Sequence, residues 1–129
     1  MTTETSIKIF ILANTAARTL DFASLEAACQ RLARHTHIEL IRTSTPEEAS
    51  QITSRLSEIP GNIVAAAGGD GTINTLLNAM SPHGTLGIIP AGTANVIARE
   101  LGIPLAAAEA AKVLVTGALQ PVDTALCND

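Results

Sequence analysis

Apolar and polar positions along the chain switch repeatedly between a two-residue and a 3.6-residue period, and the switches mark out the elements. Ile7, Ile9 and Ile11 interleave with Lys8, Phe10 and Leu12, a run apolar on both sides that predicts a buried strand ending at Asn14. Over residues 20–34, Leu25, Ala28, Cys29 and Leu32 recur at helical spacing and predict an amphipathic helix. Residues 37–43 predict a second strand with Ile38, Leu40 and Ile41 buried. Thr45-Pro46-Glu47-Glu48 has the form of a helix start, with Thr45 as N-cap, Pro46 at the first helical position and Glu48 closing a capping box. Ala49, Ile52 and Leu56 give that helix its inner face, and Pro60-Gly61 stops it before a third strand over residues 62–67.

A third helix, beginning near Thr72, carries Ile73, Leu76, Leu77 and Met80 on one side and ends at the turn Ser81-Pro82-His83-Gly84. Residues 86–89 predict a fourth strand closed by Pro90. Gly92-Thr93-Ala94-Asn95 then opens a helix expected to carry Val96, Ile97 and Leu101 inward, and Gly102-Ile103-Pro104 breaks it. An alanine-rich helix over residues 105–116, with Gly117 as its stop, follows. Strand and helix alternate four times, which predicts an α/β fold: a Rossmann-like, three-layer αβα domain with a mostly parallel sheet and right-handed crossovers. Ligands of such sheets bind beyond the C-terminal strand ends, where Asn14, Thr43, the turn over residues 68–72 and the segment 90–95 all fall.

Length and composition narrow the function. The 129 residues fit one domain, and of these 47% are hydrophobic, with much alanine suited to closely packed layers. There is no Trp or Tyr to stack on bases, and a net charge of −4 offers no basic footprint, so nucleic acid is not an expected partner. The first residues lack the pattern of a signal peptide and no apolar run is long enough to span a membrane, which reads as a cytoplasmic chain. Cys29 and Cys127 lack ligand spacing and read as free thiols, and His35, His37 and His83 suggest no metal site.

The chemistry concentrates in Gly68-Gly69-Asp70-Gly71-Thr72-Ile73-Asn74. Bare glycines at a strand exit let the backbone take positive φ and approach a bulky anion, with the N–H groups of the next helix behind it. The stretch has no Lys-Ser/Thr after its last glycine, as a Walker A loop needs, and Asn74 stands where a dinucleotide fingerprint needs its third glycine. Asp70 is awkward beside a phosphate; it can hold Mg²⁺, orient the turn or bind ribose, or simply cap the helix that follows. The alternatives for Gly92-Thr93-Ala94-Asn95, Asn14 and Thr43 are a helix cap, an Asx turn and an ordinary strand residue. Arg18 and Arg99 can reach a phosphate or simply sit on the surface.

Gly68 to Asn74, followed about twenty residues later by Ile89-Pro90-Ala91-Gly92-Thr93-Ala94-Asn95-Val96-Ile97-Ala98-Arg99, resembles the catalytic domain of the diacylglycerol kinase and sphingosine kinase superfamily. Gly102-Ile103-Pro104 and Pro121-Val122-Asp123 extend the resemblance. It implies a lipid kinase that moves phosphate from ATP, with Mg²⁺, to a lipid hydroxyl. The implied nucleotide contacts are Asn14, Thr43, Gly68, Gly69, Asp70, Gly71, Thr72, Ile73, Asn74, Thr93 and Asn95, with Asp70 the catalytic candidate. Residues 1–120 then form the nucleotide-binding domain, and residues 121–129 the first strand of a β-rich second domain whose remainder the sequence does not contain. The general base and main metal ligands are expected in that second domain, which makes the fragment alone inactive. Peripheral membrane contact and self-association are further expectations. Thr75, Val96 and the residues after Asn14 depart from the family pattern, which bears on substrate identity. An NAD kinase-like enzyme and a non-catalytic nucleotide-binding module are the alternatives.

Overall fold

The computed structural model describes residues 7–17, 20–91 and 95–117. Four strands, β1 (Lys8–Asn14), β2 (His37–Thr43), β3 (Asn62–Gly68) and β4 (Thr85–Pro90), form one all-parallel sheet in the order β2-β1-β3-β4. The helices are α1 (Phe22–Leu32), α2 (Pro46–Leu56), α3 (Asp70–Ala79), α4 (Val96–Glu100) and α5 (Ala107–Thr116). The predicted α/β class, parallel sheet and element order are all present.

Strand order follows from the crossovers. The chain steps from β1 to β2 in one direction, then returns past β1 to β3 and on to β4. Right-handed connections therefore put α1 on one face and α2 and α3 on the other, and α1 packs with α5 while α2 packs with α3. The direction reverses between β1 and β3, which opens a crevice at their C-terminal ends.

Each face has its own core. Ile9, Ile11, Ala13, Ala65, Ala67 and Ile89 meet Leu25, Ala28, Ala110 and Ala111 on the α1/α5 side. Leu12, Val64, Ala66 and Ile88 meet Ala49, Ile73, Leu76 and Ala98 on the other. The alanines of β3 let the layers approach closely: Ala65 pairs with Gly87, where a Cβ would stand 2.4 Å from Leu114 of α5. Ile38, Leu40 and Ile41 are only half buried, because β2 is an edge strand.

Helix ends match the sequence less evenly. Asp21 caps α1 by accepting from the Ser24 N–H, so that helix is shorter at both ends than the expected 20–34. Thr45 caps α2 as expected, but Glu48 reaches the Ser44 N–H at 3.4 Å rather than that of Thr45. The helix α3 starts at Asp70 rather than near Thr72. In α4 Ala98 is fully buried and Ile97 packs partly buried against the core as expected, while Val96 and Leu101 are exposed, because the helix has only five residues to turn toward the sheet. Its end is a Schellman motif: Gly102 has φ +71°, its N–H bonds the Arg99 carbonyl and the Ile103 N–H bonds that of Ala98. Gly117 has φ −74°, so α5 does not end in a left-handed residue. The strand expected over residues 121–129, Thr93, Arg18 and Cys127 lie outside the described residues.

Candidate active site at the C-terminal sheet edge

Asn14, Thr43 and Gly68 end their strands at the crevice, where a cleft of about 380 Å³ opens. Its walls are Asn14 and Thr43 from the strand ends, Thr45, Pro46 and Ala49 from the start of α2, and Gly71, Thr72 and Thr75 from the first turns of α3.

The Asn14 side chain does two things. Its Oδ1 accepts from the Ala16 N–H at 2.9 Å, an Asx turn, and its Nδ2 donates to Thr72 Oγ1 at 3.4 Å, linking β1 to α3. Thr43 is buried, and its hydroxyl donates to the Ala13 carbonyl at 3.5 Å. Gly68 lies against Thr72: a Cβ there would stand 2.6 Å from Thr72 Oγ1 and 2.8 Å from its Cβ. The need for glycine at this position is close approach rather than left-handed backbone, since the only described glycines at positive φ are Gly61 and Gly102. Gly69 is extended, with φ −89° and ψ −170°, and precedes α3 without a side-chain cap. Gly71 has nothing within 4 Å of where its Cβ would be, so it leaves the first turn of α3 open toward the cleft.

Three expected contact residues stand differently. The Ile73 side chain is 1% exposed in the core and its N–H donates to the Gly69 carbonyl, so neither can meet a ligand. Asn74 is exposed on α3 and does not line the cleft. Asn95 is buried at φ 51°, as the residue before α4. The pattern did not single out Thr45, Pro46, Ala49 and Thr75 as lining residues; the helix-start signal directly after β2 put the first three at this edge. The Thr75 hydroxyl donates back to the Gly71 carbonyl.

Asp70 is a cap, but for a different helix. Its Oδ2 accepts from the Val96 N–H at 3.1 Å and its Oδ1 from the Ile97 N–H at 3.2 Å, closing the start of α4, while Asp70 itself opens α3. The carboxylate thus faces the positive ends of two helices. Each carboxylate oxygen accepts one backbone N–H, and no cluster of three or more metal-ligating side chains stands beside it among the described residues.

The sequence and the fold both have known relatives. The family model described as Diacylglycerol kinase catalytic domain matches residues 8–127. The diacylglycerol kinase of Bacillus subtilis (strain 168) is 44% identical over 71 residues, which are 52% of this chain and 23% of that protein. A Klebsiella pneumoniae (strain 342) protein named "Probable lipid kinase YegS-like" is 46% identical over 69 residues, 51% of this chain and 23% of its own. A solved diacylglycerol kinase from Bacillus anthracis str. Sterne superimposes with a TM-score of 0.77 at 28% identity, covering 89% of this chain and 44% of that one. The chain thus spans less than half of that solved relative, and its matches span about a quarter of the curated ones. With matching segments, parallel topology and family model in agreement, the chain belongs to the diacylglycerol kinase catalytic domain family.

Proposed function

We propose that this chain is the nucleotide-binding part of an ATP-dependent lipid kinase acting on a diacylglycerol-like or sphingoid hydroxyl. One observation carries the reading. Of the four helices that directly follow a strand, α1 and α2 are capped by their own N-cap side chains and α4 by Asp70, whereas α3 begins uncapped on the wall of the cleft. The first N–H groups of a helix need acceptors. Phosphate oxygens of a nucleotide supply them, and the bare Gly69 and Gly71 let those oxygens come close. Thr72 accepts from Asn14 through its hydroxyl oxygen and retains a proton to donate to a ligand.

In this reading the chain's own work is to bind and orient the donor phosphates, which is most of what phosphoryl transfer asks of a protein. Magnesium arrives as the ion carried by ATP. By the resemblance, residues 1–120 form the donor half and the segment from 121 begins a β-rich domain that supplies the acceptor side. A lipid acceptor brings the enzyme to a membrane surface as a peripheral partner; no described helix is long and apolar enough to cross one. No observation favours an NAD kinase-like enzyme or a non-catalytic module, and the named relatives are lipid kinases.

Titration of ATP into the chain, followed by amide NMR, tests the site. Saturable shifts are expected at Gly69, Asp70, Gly71 and Thr72, and Gly71→Leu, whose side chain enters open space, should remove them. Unchanged α3 amides at millimolar ATP would overturn the reading.

A further inference from the structure

We propose that Asp70 is a positioning residue: its carboxylate clamps the start of α4 onto the β3–α3 turn, so that the two segments move as one body. The helix α4 has five residues, far too few to persist by its own hydrogen bonds. Its C-terminal end is closed by the Schellman motif at Gly102, but Asn95, in the left-handed region at its N-terminal end, makes no side-chain cap. The two first-turn N–H groups of Val96 and Ile97 are taken instead by the two oxygens of one carboxylate, 26 and 27 residues earlier in the chain. A second tie lies beside it, from the Ala91 N–H to the Gly68 carbonyl at 2.8 Å. Both sides of the 91–97 stretch are therefore anchored to the same turn, one by backbone and one by Asp70.

The clamp accounts for an acid in a turn that otherwise suits an anion. A charged acceptor bridging two N–H groups at the positive ends of two helices is stabilised where it stands. No other residue type of this length supplies two acceptor oxygens. Asparagine has one, and turns an N–H₂ toward the second amide.

The inference deepens the nucleotide-site reading, yet its decisive measurement needs neither nucleotide nor metal. In chelator-treated chain without ATP, amide exchange at Val96 and Ile97 should quicken about tenfold or more in Asp70→Ala, with the amides of β1 and β3 unchanged. Asp70→Asn should expose one of the two amides and leave the other protected. Unchanged exchange at both amides in Asp70→Ala would overturn the proposal. If either variant loses protection throughout, the wild-type chain decides. Scalar couplings across the hydrogen bonds from both amides to Asp70 Cγ support the clamp, and their absence overturns it. In the full-length enzyme a positioning role leaves the midpoint of magnesium activation where it was in Asp70→Asn while raising KM for ATP; a shifted midpoint would make Asp70 a metal ligand and overturn the proposal. Failure of ATP to bind would sink the nucleotide reading and leave the exchange result standing.

Discussion

Residues at the cleft trade stability against access, two glycine substitutions separate the two, and a third change, in the buried side of α2, probes stability alone. At Gly71 a methyl group meets nothing, and the backbone is not left-handed, so Gly71→Ala should stabilise α3 by about 0.5–1 kcal/mol in urea unfolding while weakening ATP binding in the titration. Gly68→Ala should do the opposite to the fold, costing about 1–3 kcal/mol, because Thr72 is β-branched on a helix and cannot swing away from the new Cβ. Thr53 is fully buried on α2 with no partner for its hydroxyl, so Thr53→Val should be neutral or stabilising by about 1 kcal/mol, measured the same way. Residue types and spacing made the glycine turn legible, along with Asn14 and Thr43 at its side. They did not make legible what each residue does there. Ile73 belongs to the motif in sequence but to the core by helical phase, and the Asp70 partners lie in a segment that only folding brings near.

Elements were legible where a terminator has its own chemistry and blurred where packing decides. Gly102-Ile103-Pro104 is the clearest stop, and its Schellman geometry needs glycine for φ alone, since no atom lies within 4 Å of the added Cβ. Gly102→Ala should accordingly cost about 1 kcal/mol in unfolding free energy, and Gly102→Asn less. Of the three large apolar residues expected to face inward from α4, Ile97 packs against the core while Val96 and Leu101 are exposed, because a five-residue helix presents only one narrow face. At α1, the Ser24 backbone N–H and hydroxyl hold the Asp21 carboxyl below its ordinary range. A lowered folded-state value means that this contribution is complete above the ordinary carboxylate range and is lost as pH falls through the lowered one. Protection of the Ser24 and Leu25 amides, taken relative to their intrinsic exchange rates, should therefore fall at acid pH in the wild type, and an Asp21→Ala variant should show no such acid step.

At the scale of the whole molecule, the nucleotide reading has a thermodynamic signature. ATP at about one hundred times its dissociation constant should stabilise the folded chain by about 2.7 kcal/mol, visible as a rise in melting temperature that Gly71→Leu abolishes. The sheet class and both layers followed from alternation alone, but the order β2-β1-β3-β4 required knowing which crossover reverses direction, which no local pattern encodes. The same order has a further consequence for how the protein is made. The α1 face of the sheet is completed only when Ala110 and Ala111 of α5 join its core, with α5 packed against β4 and α1. A ribosome that has delivered all four strands has still not delivered the lid of that face. A nascent chain that has emerged only as far as α4 therefore leaves Ile89 without the cover of Ala110 and Ala111, and the arrival of α5 sets when this face is closed against aggregation.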